Sequence, residues 1–140
     1  MYDREDKKMQ EVLKYLKESG TFYVATNEGQ QPRVRPFGVV CEFEGKLYIV
    51  TNNQKKVYKQ MMTNPKIEIS AMNKDTWIRL EAEVVHDPRR EARVAMLEDK
   101  DNAILKSMYN ADDNLVEVLY LKNATATISS FTDEPRIIKF

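Results

Sequence analysis

Two arginines in the segment Pro32-Arg33-Val34-Arg35-Pro36 are the residues whose types and spacing most clearly suggest chemistry. Strand alternation points Arg33 and Arg35 to one face. Two guanidinium forks there can meet a phosphate or carboxylate through parallel hydrogen bonds. The competing reading is a solvated strand face balanced by Glu42 or Glu44. A second cluster, Thr51-Asn52-Asn53-Gln54-Lys55-Lys56, falls where a strand ends and a helix begins. Hydroxyl, amide and ammonium groups converge there with the unpaired amides of a helix N-terminus, a combination suited to a phosphate dianion. Lysines face the unfavourable end of the helix dipole at such a position, so an anion would relieve them. The alternative is an ordinary pair of surface lysines.

Other reactive groups are few. His86, the only histidine, precedes Asp87-Pro88 and reads as a solvent-edge residue. Cys41, the only cysteine, is expected to pack in the core, because no third group orients a Cys41–His86 pair toward nucleophilic chemistry. One cysteine and one histidine do not make a metal site. Met61, Met62, Met72, Met96 and Met108 read as gap-filling core or interface residues.

Composition narrows the class. Lysine plus arginine and aspartate plus glutamate both total 22, so no global positive field gathers nucleic acid or an anionic membrane, and any anion site must be local. A single cysteine excludes an internal disulfide, and the N-terminus MYDREDKKMQ has no apolar leader, which together suggest the cytoplasm. At 140 residues with no linker-like stretch, residues 1–140 are expected to form one domain.

The elements that must position the two clusters follow from periodicity. Asp3 and Asp6 open a stretch in which Met9, Val12, Leu13 and Leu16 recur at helical spacing, and Gly20 stops it, so residues 4–18 are expected as a helix. TFYVAT and PRVRPFGVVCEFE, joined by the turn chemistry of NEGQ, read as a hairpin. KLYIVT follows Glu44-Gly45 and pairs with the second strand. KKVYKQMM is a short helix ended by Asn64-Pro65. KIEISAM and TWIRLEAEVVH alternate as strands around Asn73-Lys74-Asp75. Asp87-Pro88 is expected to cap a helix over residues 88–98, and another short helix is expected over 102–110. VEVLYLK and ATATISSF form a closing hairpin or one long bent strand, and RIIKF can add an edge. Hairpin order with short helical connections implies an antiparallel sheet that closes on itself with helices at its periphery.

The run RVRPFGVVCEFEGKLYIVTNNQKKVYKQMMTNPKIEIS resembles the core of the pyridoxamine 5′-phosphate oxidase-like, flavin-binding split-barrel superfamily. There a strand-two arginine is followed by a hairpin, a strand ending in Thr-Asn, a basic helix start and Asn-Pro. The resemblance implies a mainly β fold with peripheral helices, a six-stranded antiparallel split β-barrel. It implies flavin mononucleotide (FMN) with its phosphate on Arg35, Lys55 and Lys56. Thr51, Asn52 and Pro36, with the backbone near Arg33, Val34 and Val50, then lie beside the cofactor. It also implies a homodimer with flavin at the interface, to which Trp77 of the second chain could contribute. Longer family members carry a C-terminal aromatic-plus-arginine substrate segment, whereas this sequence ends SSFTDEPRIIKF, so vitamin B6 oxidation is not expected. The chain is also similar to shorter nitroimidazole-resistance-type members, some with a reactive histidine for which only His86 is available. The expected activity is flavin-dependent oxidoreduction, passing electrons from a reduced nicotinamide-type donor to a small acceptor. The alternative is a non-catalytic module that binds flavin, haem or deazaflavin or senses redox state.

Overall fold

The computed structural model describes residues 4–140, so Asp3, expected to help open the first helix, lies outside them. Helix α1 spans Arg4–Ser19 and buries Met9, Val12 and Leu16. Gly20 ends it at φ +77°, where its N–H donates to Leu16 O at 3.2 Å, a left-handed stop that glycine adopts without a Cβ penalty.

Among the described residues eight strands form one antiparallel sheet, where six were expected. Two changes account for the difference. PRVRPFGVVCEFE is two strands, β2 (Gln31–Phe37) and β3 (Val40–Phe43), parted at Gly38-Val39. The parting is topological: β2 pairs with β1 (Phe22–Glu28), whereas β3 pairs with β4 (Lys46–Asn52), and the hydrogen-bonded path runs β2-β1-β5-β6-β7-β4-β3. β2 and β3 are thus the two ends of the path. The tail adds β8 (Arg136–Lys139) against β7 (Val116–Ser130). β7 is one long strand rather than a hairpin. It follows β6 (Thr76–Asp87) through a register shift at Glu81/Glu83, near which Asn123 takes φ 52°. β5 (Lys66–Asn73) buries Ile67, Ile69 and Ala71 on alternate positions, as its periodicity required.

Helix α2 spans Lys56–Thr63 and sends Val57 and Met61 into the main core, beside Ile49, Ile69, Leu80 and Leu119. Helix α3 spans Arg90–Glu98. Its N-cap is Arg89, not Asp87, because Asp87 Oδ1 instead accepts the Arg89 N–H at 3.1 Å in a turn before the helix. The helix expected at 102–110 is a 3-10 helix over Lys100–Ser107, broken at Asn102, consistent with the limited length such helices sustain. With α3 it covers a second apolar cluster that includes Cys41, Tyr48, Met96, Leu105 and Val118. Among the described residues no helix is long and apolar enough to cross a membrane.

Candidate functional site

A cleft of about 180 Å³ opens where the end of β2, the end of β4, the start of α2 and the 3-10 helix approach one another. It gathers Arg35 and Pro36 from β2, Val50 and Thr51 from β4, and Lys55 just before α2. The remaining candidates lie around it. Asn52 donates from Nδ2 to the hydroxyl of Tyr109, which itself lines the cleft, at 3.0 Å. Lys56 is the exposed first residue of α2. Arg33 turns to Glu28, with Nη2 to Oε1 at 3.0 Å, and Val34 points out to solvent. Trp77 stands at the start of β6 against Phe131, with ring centroids 5.1 Å apart, outside the cleft of its own chain.

Arg35 is held from behind. Its Nη1 donates to Val24 O at 3.1 Å and to the buried Thr26 Oγ1 at 2.6 Å, and its Nη2 donates to Gln60 Oε1 at 2.7 Å. Thr26 donates in turn to Gln60 Oε1 at 2.6 Å, and Gln60 Nε2 donates to Glu28 Oε2 at 3.3 Å. The guanidinium therefore arrives at the cleft pre-oriented, with Nε–H and one Nη2–H outside this network. Burial and the neighbouring Arg33 pull Arg35 below the ordinary arginine value while Glu28 pulls upward; an arginine stays cationic throughout.

Two further observations point to a ligand. Thr51 Oγ1 is buried without a hydrogen-bond partner among the described residues, and an unpaired buried hydroxyl is costly. Helix α2 has no side-chain cap and no acid in its first turn, and neither Lys55 nor Lys56 makes an ion pair with the described residues. This end of the cleft is electropositive and short of acceptors, which suits a phosphate. A larger concavity, about 640 Å³ across β1, β5 and β6, has the opposite character, since Glu68, Glu81 and Glu83 line it.

Sequence reasoning did not anticipate Thr26 and Gln60, which aim Arg35, or Leu105, Met108 and Tyr109, which wall the cleft. Gln60 carried a faint signal, an amide on the apolar face of a short helix beside Met61. The 3-10 residues carried none, because only the tertiary path brings them near β2.

The other candidates are engaged elsewhere. Cys41 is fully buried, and burial together with Asp99 pushes its thiol up to about 12, leaving it protonated and unreactive at neutral pH. His86 stands near the end of β6 with its side chain 26% exposed, as expected of a solvent-edge residue, but its imidazole is also held. Its Nε2 lies 2.8 Å from Glu117 Oε1, and the Tyr58 ring meets its own edge-on. Glu117 also accepts from Asn53 Nδ2 at 2.9 Å, which pins the loop before α2 to β7. Asp87 accepts the Tyr48 hydroxyl at 2.7 Å and the Arg89 Nη2 at 2.9 Å. The Arg89 bonds hold its carboxyl well below the usual range against the effect of burial.

Comparison with known proteins places this geometry. The family described as Pyridoxamine 5′-phosphate oxidase matches residues 7–126. A NimC/NimA family protein from Clostridium acetobutylicum is 52% identical, with a TM-score of 0.93 over 97% of this chain and 94% of that one. Two distant structures share the fold: an FAD-binding protein from Mesorhizobium loti, 14% identical with a TM-score of 0.59 over 86% of this chain and 94% of that one; and the heme storage protein HutZ from Vibrio cholerae, 12% identical with a TM-score of 0.62 over 93% of each chain. No curated protein matches. With its family match spanning most of the sequence, its mainly β sheet and its peripheral helices, the chain belongs to the pyridoxamine 5′-phosphate oxidase-like split-barrel superfamily.

Proposed function

We propose that the protein binds FMN and works as an oxidoreductase, taking electrons from a reduced nicotinamide-type donor and passing them to a small acceptor. The observation that carries this reading is the convergence of Arg35, Lys55 and the orphaned Thr51 hydroxyl on one cleft beside an uncapped helix start. Arg35, Lys55 and Lys56 would hold the phosphate, a terminal monoester whose two charges match a cluster of cations better than the singly charged units of a diester would. Thr51 and Val50 would flank the ring. Bound flavin would supply the hydride and electron chemistry, which explains a site without a side-chain acid or base. A haem reading is disfavoured, because His86, the only histidine, is tied to Glu117 and does not line the cleft.

The cleft of about 180 Å³ is below the usual range for a cofactor pocket, roughly 300–1,000 Å³, so it holds one end of a nucleotide. A second copy would supply the rest. The face for it is the outer side of β2, β1 and β5, where Val34 and Met72 are each 67% exposed and Tyr23 is 49% exposed. Pro36, opposite Tyr23, links this face to the cleft.

The test is direct. Purified protein should be yellow or take up FMN, and anaerobic addition of NADH should bleach the flavin band. A colourless protein that takes up no flavin overturns the binding reading. Bound flavin that NADH and NADPH leave oxidised overturns the oxidoreductase reading.

A further inference from the structure

A second concavity, separate from the cleft, lies between α1 and the 3-10 helix. Its volume of about 490 Å³ is that of a small-molecule site. Gly38 lines both cavities, and one wall is common to them: Asp101 and Asn102 of the 3-10 helix face the groove, while Leu105 faces the cleft. The groove therefore begins where the cleft ends, at the link between β2 and β3.

Asn102 defines its chemistry. The residue is 3% exposed, and its Nδ2 donates to Val40 O at 3.1 Å and Met96 O at 3.2 Å. Two carbonyl acceptors fix which end of the amide is nitrogen, and so fix where the oxygen points. That oxygen accepts nothing from the described residues. With the nitrogen turned to those two carbonyls, the oxygen is left for a donor in the groove that Asn102 lines. Asn102 leaves helical geometry, at φ −114° and ψ 26°, inside an otherwise continuous 3-10 run.

The opposite wall comes from α1, where Gln10, Leu13, Lys14 and Lys17 share a face at helical spacing. Lys17 is neutralised by Asp99 at 3.1 Å and Asp101 at 2.9 Å. Lys14 makes no ion pair with the described residues, including Glu18 on the exposed rim, and the half-buried Gln10 amide makes no hydrogen bond with them. Leu13 and Val40 provide apolar floor. One uncommitted cation, one uncommitted amide, one fixed acceptor and an apolar floor describe a complementary ligand.

We propose that this groove is a second small-molecule site, selective for an aromatic carboxylate that carries an amide N–H. The carboxylate meets Lys14 and Gln10, the N–H meets Asn102 Oδ1, and the ring lies on Leu13 and Val40. The site does not depend on flavin binding, because Gly38 is the only residue it shares with the cleft.

Hippurate, which has all three groups, is the probe. Calorimetric titration of the full chain should give a dissociation constant of about 1 mM or tighter. The value should be the same with and without saturating FMN. Lys14→Gln should weaken it about tenfold through loss of a charge-assisted bond, while Lys122→Gln, on exposed β7 surface, leaves it unchanged. Gln10→Ala, at a half-buried position on the same helix face, should weaken it a few-fold and serves if the lysine variant folds poorly. No binding, binding insensitive to both variants, or displacement by FMN would each overturn the proposal, the last by placing the probe in the cleft. Lys14-dependent binding by a protein that takes up no FMN would leave the groove standing and remove the flavin reading.

Discussion

Replacing Arg35 by alanine tests both the fold around the cleft and the proposed phosphate site, and the two effects separate in magnitude and in ligand. In the folded protein Arg35 satisfies Val24 O, Thr26 Oγ1 and Gln60 Oε1. Thr26 and Gln60 keep their mutual 2.6 Å bond when it is removed, and the position is partly open to water, so the loss is less than three full bonds. About 2 kcal/mol of stability is expected to go. For a chain of this size that is a fall in Tm of about 6 °C, readable by circular dichroism. Binding loses more specifically. Without the guanidinium, FMN should bind about thirtyfold more weakly, the cost of one charge-assisted contact to a dianion. Riboflavin, which has the ring but no phosphate, should change by less than about threefold. Fluorescence titration of both flavins at a temperature where the variant is folded gives the comparison. Equal losses for FMN and riboflavin would mean that Arg35 only shapes the cleft, and unchanged FMN affinity would move the phosphate elsewhere.

Acid should destabilise the protein through Asp87. Its carboxyl lies below the ordinary value of 3.8, so its contribution is complete above about pH 4 and is lost as pH falls through 3.8 toward the folded value. Asp87→Asn should flatten the stability–pH profile in that window, and an unchanged slope would refute the assignment. Gly45→Ala should cost about 1–2 kcal/mol in urea denaturation, because Gly45 sits at φ +77° and a Cβ would lie 2.7 Å from Asp6 Oδ1. The flexible carboxylate can swing aside, so the backbone conformation dominates that cost; a neutral result would show that the turn relaxes. Cys41 should react with a thiol reagent only on unfolding, since it is buried and its thiol is pushed up to about 12; fast native-state labelling would contradict its burial. Val34→Asp should convert a dimer to a monomer in light scattering and reduce FMN affinity with it. A wild-type protein that is monomeric while binding FMN fully would exclude the two-chain site.

The strands and helices that the sequence made legible are those whose burial is local and periodic: α1, β5, β6 and α2 each keep one face in the core, and period alone reveals that face. What stayed hidden depended on partners remote in sequence. PRVRPFGVVCEFE looks like one strand because nothing in its residue types distinguishes an edge that pairs with β1 from one that pairs with β4. Only Gly38, between the two valines and Phe37, hinted at the break. The cleft residues on β2, β4 and the helix start were visible as charge and hydroxyl patterns. Tyr109 and Leu105 were not, because an apolar residue in or just after a weak helix carries the same signature whether it faces a site or a core. The contact of His86 was hidden for a related reason: its partner Glu117 lies 31 positions away, on the next strand, β7.

The site follows from a pairing that the sheet does not make, between the two ends of its path. Among the described residues β2 and β3 are adjacent in sequence yet stand at opposite ends of the hydrogen-bonded path, with no ladder between them. Closing that seam would bury Phe37, Gly38 and Val39 against a neighbouring strand and leave no room for the cleft they line. Left open, the seam exposes the end of β2, and the network of Thr26, Gln60 and Glu28 can hold a guanidinium at its edge without covering it. The same link at Gly38 borders the groove beneath α1. A substitution that stiffened or filled Gly38, where a Cβ meets nothing within 4 Å, should therefore fold normally and still alter occupancy of both cavities. Gly38→Val with unchanged Tm, and with FMN and hippurate binding both unchanged, would refute the view that one seam builds the two sites.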